Sequence, residues 1–99
     1  MAVYMSELET LSALFQTLAD VNRLRIIFFL EKAERSVNEV VKALKLSQPL
    51  VSHHLKVLKQ VSIVQTTRDG PFVLYRLADN KITASLNRFR REIWESKNG

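Results

Sequence analysis

The stretch "ALKLSQPLVSHHLKVLK", residues 43–59, reads as the end of one short helix, a tight connection and most of another. Just upstream, Ser36-Val-Asn-Glu39 is a capping box, the pattern in which a serine and a glutamate satisfy the free N–H groups of a helix start. Val37, Val40, Val41 and Leu44 then supply an apolar stripe. Lys45-Leu46-Ser47 makes the connection, with Ser47 a good N-cap and Pro49 tolerated in the first turn because its N–H would be free there anyway. The second helix is predicted over about 48–61. Two helices joined by three or four residues form a helix-turn-helix candidate.

The second of these helices has two faces. Leu50, Val51, Leu55 and Leu58 are expected to share one and to pack on the preceding helix and on a β-hairpin downstream. Gln48, Ser52, His53, Lys56 and Lys59 point largely the other way. Adjacent His53 and His54 raise the question of a metal site or a catalytic base. Neighbours on a helix diverge by about 100°, so the pair cannot clamp one ion. His54 lies nearer the apolar stripe and is expected to pack, while His53 faces outward. Amide, hydroxyl, imidazole and ammonium groups on one face suit base edges and phosphates.

Working outward, Ser6-Glu-Leu-Glu9 also matches a capping box, and Leu8, Leu11, Phe15 and Leu18 follow at helical spacing. Asp20 is expected to cap a helix over 21–32, whose apolar run predicts burial on several sides. After the reading helix come "SIVQTTR" and "PFVLYRL", β-branched and aromatic runs flanking Asp69-Gly70, a hairpin signal. Pro71 lacks an N–H, which predicts a wider tip. Asp79 is expected to start a last helix over about 80–96, with Ile82, Leu86, Phe89 and Ile93 in one stripe and Arg88, Arg90 and Arg91 mostly off it. The chain is thus mainly α with one β-hairpin: four helices, the hairpin, and a final helix, a winged helix-turn-helix with helical ends. No repeat or linker interrupts it, and residues 1–99 are read as one domain.

Composition narrows the function. The chain of 99 residues contains no cysteine, so disulfides, thiolate metal sites and cysteine nucleophiles are excluded. The start "MAVYMSELETL" shows neither a basic leader nor an apolar core, and the longest unbroken apolar run is "IIFFL", too short to span a membrane. A cytoplasmic location is expected. The net charge is +5, and its distribution is uneven. Between Val40 and Arg68 there is no Asp or Glu, whereas Lys42, Lys45, Lys56, Lys59 and Arg68 all lie there. A solvated basic face is the ordinary explanation, but a segment free of every acid fits a polyanionic partner better. With no Gly-rich phosphate loop and no nucleophile–base–acid set, an enzyme is not expected.

"LADVNRLRIIFFL", "ALKLSQPLVSHHLKVLK" and "TTRDGPFVLYRL" resemble, in order, the signature segments of the ArsR-type (arsenic-repressor-like) transcriptional regulators, over roughly residues 14–78. The resemblance implies a homodimeric winged-helix repressor that binds an inverted-repeat operator on double-stranded DNA and leaves it when an effector arrives. It implies base-reading residues at Ser47, Gln48, Ser52 and His53 and wing contacts near Arg68, with Thr67 beside it, while the basic segment itself offers Lys56 and Lys59 as phosphate contacts. The stripes Leu8, Leu11, Phe15 and Leu86, Phe89, Ile93 need apolar partners and are expected to pair across a two-fold axis, with Trp94 close by.

Several positions depart from that family pattern. The paired cysteines of thiolate-sensing members would fall at Ser36 and Asn38. The last-helix metal site would begin at Asp79, but the histidine two residues later is replaced by Lys81, a cation. Glu92 and Glu95 offer only a carboxylate pair one turn apart, so no metal and no cofactor are expected. A glycine common after the reading helix is Ser62, and a wing position often basic is Pro71. Two other functions compete: a sequence-indifferent architectural DNA binder, distinguished by its specificity ratio over random DNA, and a winged-helix protein-interaction module, which should show apolar anchors on its exposed face.

Overall fold

The helices each bury one stripe, and three of them, beginning after Asp20, Ser36 and Ser47, start at a side chain that satisfies free N–H groups. The computed structural model describes residues 4–98, which leaves the first three residues of the leader reading outside the described residues. In order they form α1 (Met5–Leu18), α2 (Val21–Leu30), α3 (Val37–Leu44), α4 (Gln48–Gln60), β1 (Val64–Asp69), β2 (Phe72–Leu77) and α5 (Lys81–Asn98). The winged helix expected from the sequence is the fold.

Asp20 caps α2, its Oδ1 accepting from the N–H groups of Asn22 and Arg23 at 2.8 and 3.1 Å. Those two bonds hold its carboxyl below the usual carboxylate range, the Arg23 N–H first among the causes. The capping box at α3 is complete: Glu39 N–H donates to Ser36 Oγ at 3.2 Å, and Ser36 N–H donates to the Glu39 carboxylate at 3.0 Å. That of Ser6 does not form. The α1 helix begins two residues earlier, with extended Tyr4 as its N-cap and no side-chain cap. Leu8 N–H already bonds Tyr4 C=O, so Ser6 lies inside the first turn, where its carbonyl accepts from Thr10 Oγ1.

The core gathers around α2. Ile26, Ile27 and Leu30 are buried with Val40 from α3, Val51, Leu55 and Leu58 from α4, and Ile63, Val64 and Leu77 from the hairpin base. Full burial of such a side chain contributes roughly 1.5–3 kcal/mol. Leu14, Leu18, Ile82 and Leu86 pack on this cluster from α1 and α5. The α2 helix stops two residues short of the expected end because the chain must turn out to form a β-bridge. Arg35 and Tyr75 exchange backbone bonds of 2.9 and 2.7 Å. The connection before α3 is thereby pinned to the outer edge of β2.

The strands pair antiparallel from Val64↔Leu77 to Asp69↔Phe72. Gly70 and Pro71 are therefore the whole tip, which is not widened by the proline. In a two-residue loop only the flanking residues exchange ladder bonds, so the missing proline N–H removes none. Gly70 takes φ 61°, which a first central position of a type II′ turn requires and which costs glycine little.

Candidate nucleic-acid interface

The helix-turn-helix is built from local chemistry at its two joints. Lys45 closes α3 in the left-handed region, φ 57° and ψ 43°, with its N–H on Val41 C=O. Arg25, from α2, donates from Nη2 to Leu44 C=O at 2.8 Å and from Nη1 to Asn22 Oδ1. A cation is thus fixed at the carbonyl end of α3, where the helix dipole favours it. Ser47 then starts α4 by accepting from Leu50 N–H at 3.4 Å, with Pro49 in the first turn.

At its far end α4 stops by a Schellman motif. Ile63 N–H bonds Leu58 C=O and Ser62 N–H bonds Lys59 C=O, both at 3.0 Å. Ser62 sits at φ 65°, the left-handed position that usually carries glycine. Ile63 and Leu58 are both in the core, which supplies the apolar contact that accompanies the motif.

Between these ends α4 presents two faces. Val51, Leu55 and Leu58 are fully buried and His54 nearly so, at 4% exposure. Leu50 departs from its expected place on this face and is 36% exposed. By the helical step of about 100° it lies at the margin of the stripe rather than within it. Opposite the buried face, Gln48, His53, Lys56 and Lys59 are exposed and Ser52 is half-buried. Pro49 and Gln60, four residues before and seven after His53, are exposed as well and fall on the same side of the helix. The expected set omits both, although spacing from His53 identifies them.

Within this face Gln48 Nε2 donates to Ser52 Oγ at 3.0 Å. His54 is held from behind. Arg23 Nε–H donates to His54 Nδ1 at 3.1 Å while Arg23 Nη1 donates to Thr17 C=O at the end of α1. Burial pushes the His54 imidazole below its usual range; the Asp20 carboxylate opposes this, and the charges of Arg23 and His53 add to it. With Nδ1 accepting, His54 is the neutral tautomer carrying its proton on Nε2.

The hairpin splits its two expected contacts. Strand alternation puts Arg68 and Thr67 on opposite faces. Arg68 is exposed, whereas Thr67 is half-buried with Oγ1 3.5 Å from the Glu34 carboxylate. Phe72 at the tip is 61% exposed.

On α1 and α5, Leu8, Leu11 and Phe15 are 44–48% exposed and Phe89, Ile93 and Trp94 50–60% exposed. Phe15 and Phe89 rings touch with centroids 5.8 Å apart, so the two stripes lie side by side. Leu86 differs, half-buried against the protomer's own core. Asp79 accepts from Lys81 N–H at 2.8 Å, and Glu92 accepts from Arg88 Nε at the same distance. Among the described residues no three His, Asp or Glu side chains gather around a common point.

A helix-turn-helix followed by a two-stranded wing and flanked by terminal helices defines a winged helix. A family model, bacterial regulatory protein, arsR family, matches residues 20–66. The chain is 44% identical over 75 residues to the HTH-type transcriptional repressor SmtB of Mycobacterium tuberculosis, a match covering 76% of this chain and 56% of that protein. It thus spans just over half the length of that relative. The transcriptional repressor BigR of Xylella fastidiosa superposes with a TM-score of 0.73 at 30% identity, covering 84% of this chain and 85% of that one. A homodimeric winged helix-turn-helix DNA-binding domain of Mycobacterium bovis, a possible ArsR-family regulator, superposes at 0.81 with 25% identity, covering 97% and 95%. The chain belongs to the ArsR family of bacterial regulatory proteins. These three relatives are regulators or domains of regulators, and among the described residues no helix is long and apolar enough to cross a membrane.

Proposed function

We propose that this chain is a sequence-specific DNA-binding transcriptional repressor, acting in the cytoplasm as a homodimer in which residues 1–99 serve as one winged-helix domain. One observation carries the reading. The exposed face of α4 bears Gln48, Ser52, His53, Lys56 and Lys59, its opposite face is buried in the core, and no acidic residue occurs from Val40 to Arg68. A rigid helix whose outer face offers donors, acceptors and cations without a competing carboxylate suits the major groove of DNA.

In this reading Gln48, Ser52 and His53 address base edges. Ser47, whose hydroxyl caps α4, stands at the helix entry, and Lys56 and Lys59 neutralise phosphates. Arg68 reaches the backbone from the wing, with Thr67 on the other wing face. The half-exposed stripes of α1 and α5 join two protomers, so that two copies of α4 meet successive major grooves of an inverted repeat. The named repressors among the relatives support this assignment. Soft thiophilic ions have no thiolate to bind in a chain without cysteine.

Selection of bound DNA from a random pool, followed by footprinting, tests the proposal. An inverted repeat with half-sites about one helical turn apart is expected. Recovery of unrelated sequences bound as tightly as random DNA would replace it with a sequence-indifferent DNA binder.

A further inference from the structure

The contact between Gln48 and Ser52 carries more than the repressor reading on which this inference rests. A glutamine amide has two N–H donors and one carbonyl acceptor. On an exposed helix it rotates freely, and the edge it shows to a base is not set in advance. Here one N–H is committed to Ser52 Oγ at 3.0 Å, one turn along the same face of α4. Ser52 is half-buried while Gln48 is exposed, so the less mobile side chain holds the more mobile one. What remains free on Gln48 is Oε1 and the second N–H, an acceptor and a donor side by side.

That pair is the complement of the major-groove edge of adenine, which offers an N6 amino donor beside the N7 acceptor. Guanine offers two acceptors there, O6 and N7, and would leave the Gln48 carbonyl facing an acceptor. We propose that Ser52 is a positioning residue that fixes the polarity of the Gln48 amide, so that Gln48 reads adenine at one position of each half-site. The ordering cost of the amide is met in the free protein, which is how preorganisation sharpens discrimination.

Binding of the full chain to its selected operator, at fixed salt, tests this. The position read by Gln48 is the one whose base preference disappears in Gln48→Ala. Replacing adenine there by 7-deazaadenine, which lacks the N7 acceptor, or by purine, which lacks the N6 amino group, should each weaken the wild-type protein roughly ten-fold or more. In Ser52→Ala the same replacements should cost little, and Ser52→Thr should restore the discrimination. In the double variant Gln48→Ala/Ser52→Ala, the loss should be no larger than in Gln48→Ala alone, the non-additivity expected of residues acting as a unit. Additive losses, a guanine at that position, or full adenine preference in Ser52→Ala would overturn the assignment of Ser52 while leaving the repressor reading intact. Failure to recover any preferred operator would instead sink the repressor reading and this inference with it.

Discussion

Arg23 and His54, thirty-one residues apart, join α2 to the buried side of α4 through a bond of 3.1 Å from Nε–H to Nδ1. The same guanidinium donates from Nη1 to Thr17 C=O at the end of α1. One side chain therefore ties an end of the α1 helix, which carries one apolar stripe, to α4, which carries the proposed reading face. The bond needs an imidazole lone pair on Nδ1, so it exists only while His54 is neutral. Protonation would set an N–H against an N–H and a cation against the guanidinium. Asp20, at the start of α2, is the carboxylate whose field partly offsets this, and His53 adds a second cation when it is charged.

The pH dependence stems from the depressed imidazole pKa. Below the ordinary value of 6.5 the unfolded chain binds a proton at His54 that the folded chain resists. The stability from neutral His54 is thus complete above about pH 6.5 and declines as the pH falls from there toward the lower folded value. Thermal unfolding between pH 7.5 and 5 should show a larger fall for the wild type than for His54→Gln, which retains an acceptor and cannot titrate. Parallel curves for the two proteins would remove His54 from the account. Asp20, whose pKa is lowered, acts at more acid pH: its contribution is present above its ordinary value of 3.8 and is lost only below it.

At the other end of α4, Ser62 accepts a left-handed backbone to complete the Schellman motif. A residue with a Cβ is strained there by about 1–2 kcal/mol relative to glycine, and glycine returns about 0.4–1 kcal/mol of that through its freer unfolded chain. Ser62→Gly should raise stability by about 0.5–1 kcal/mol, read as a higher denaturant midpoint at unchanged slope. Ser62→Val should lower it, since a β-branched residue tolerates positive φ worst. A glycine variant no more stable than wild type would show that Ser62 is not strained.

The sequence announced what depends on near neighbours. Ser36 with Glu39, Asp20 and Ser47 are caps whose partners lie two or three residues away, and all three form. The β-branched and aromatic runs on either side of Asp69-Gly70 likewise marked the hairpin, and helical spacing placed His54 inside and His53 outside. Ser6 shows the weakness of a local pattern: the capping-box spacing is present, but the chain starts its helix at Tyr4 and the box is not needed. Leu50 was hard to place because a residue at the margin of a stripe is buried or exposed by small rotations. The Arg23–His54 bond and the Arg35–Tyr75 bridge join residues far apart in sequence, and no local periodicity encodes them. The residue types on the exposed face of α4 were legible in the sequence, whereas the bond between Gln48 and Ser52 required the side-chain geometry.

Charge on the reading face and the wing should act through counterion release. Lys56→Gln, Lys59→Gln and Arg68→Gln are each expected to weaken operator and random DNA alike, and each to reduce the slope of log affinity against log salt by about 1. His53→Ala should reduce affinity mainly for the operator. Slopes that stay at the wild-type value in all three charge variants would mean that the acid-free segment does not meet phosphate.

The last prediction concerns assembly. Leu8, Leu11, Phe15, Phe89, Ile93 and Trp94 expose large apolar surface on two helices that touch at Phe15 and Phe89. A chain of this size buries only about 60–65% of its unfolded surface alone, and a contiguous apolar face of this kind marks an interaction site. Leu86 already packs on the protomer's own core, so its truncation would mix folding with assembly. Phe89, half-exposed at 50% and beside Phe15, is the cleaner probe. Phe89→Glu should place a carboxylate in the centre of the joint and weaken dimerisation by about 2 kcal/mol or more, roughly thirty-fold, as for a central aromatic anchor. Sedimentation at micromolar concentration should then find a monomer whose circular dichroism retains the helical content of the wild type. The monomer should bind a half-site much as before and lose the added affinity of the full inverted repeat. A wild-type protein that sediments as a folded monomer at the same concentration would show that α1 and α5 do not join two copies.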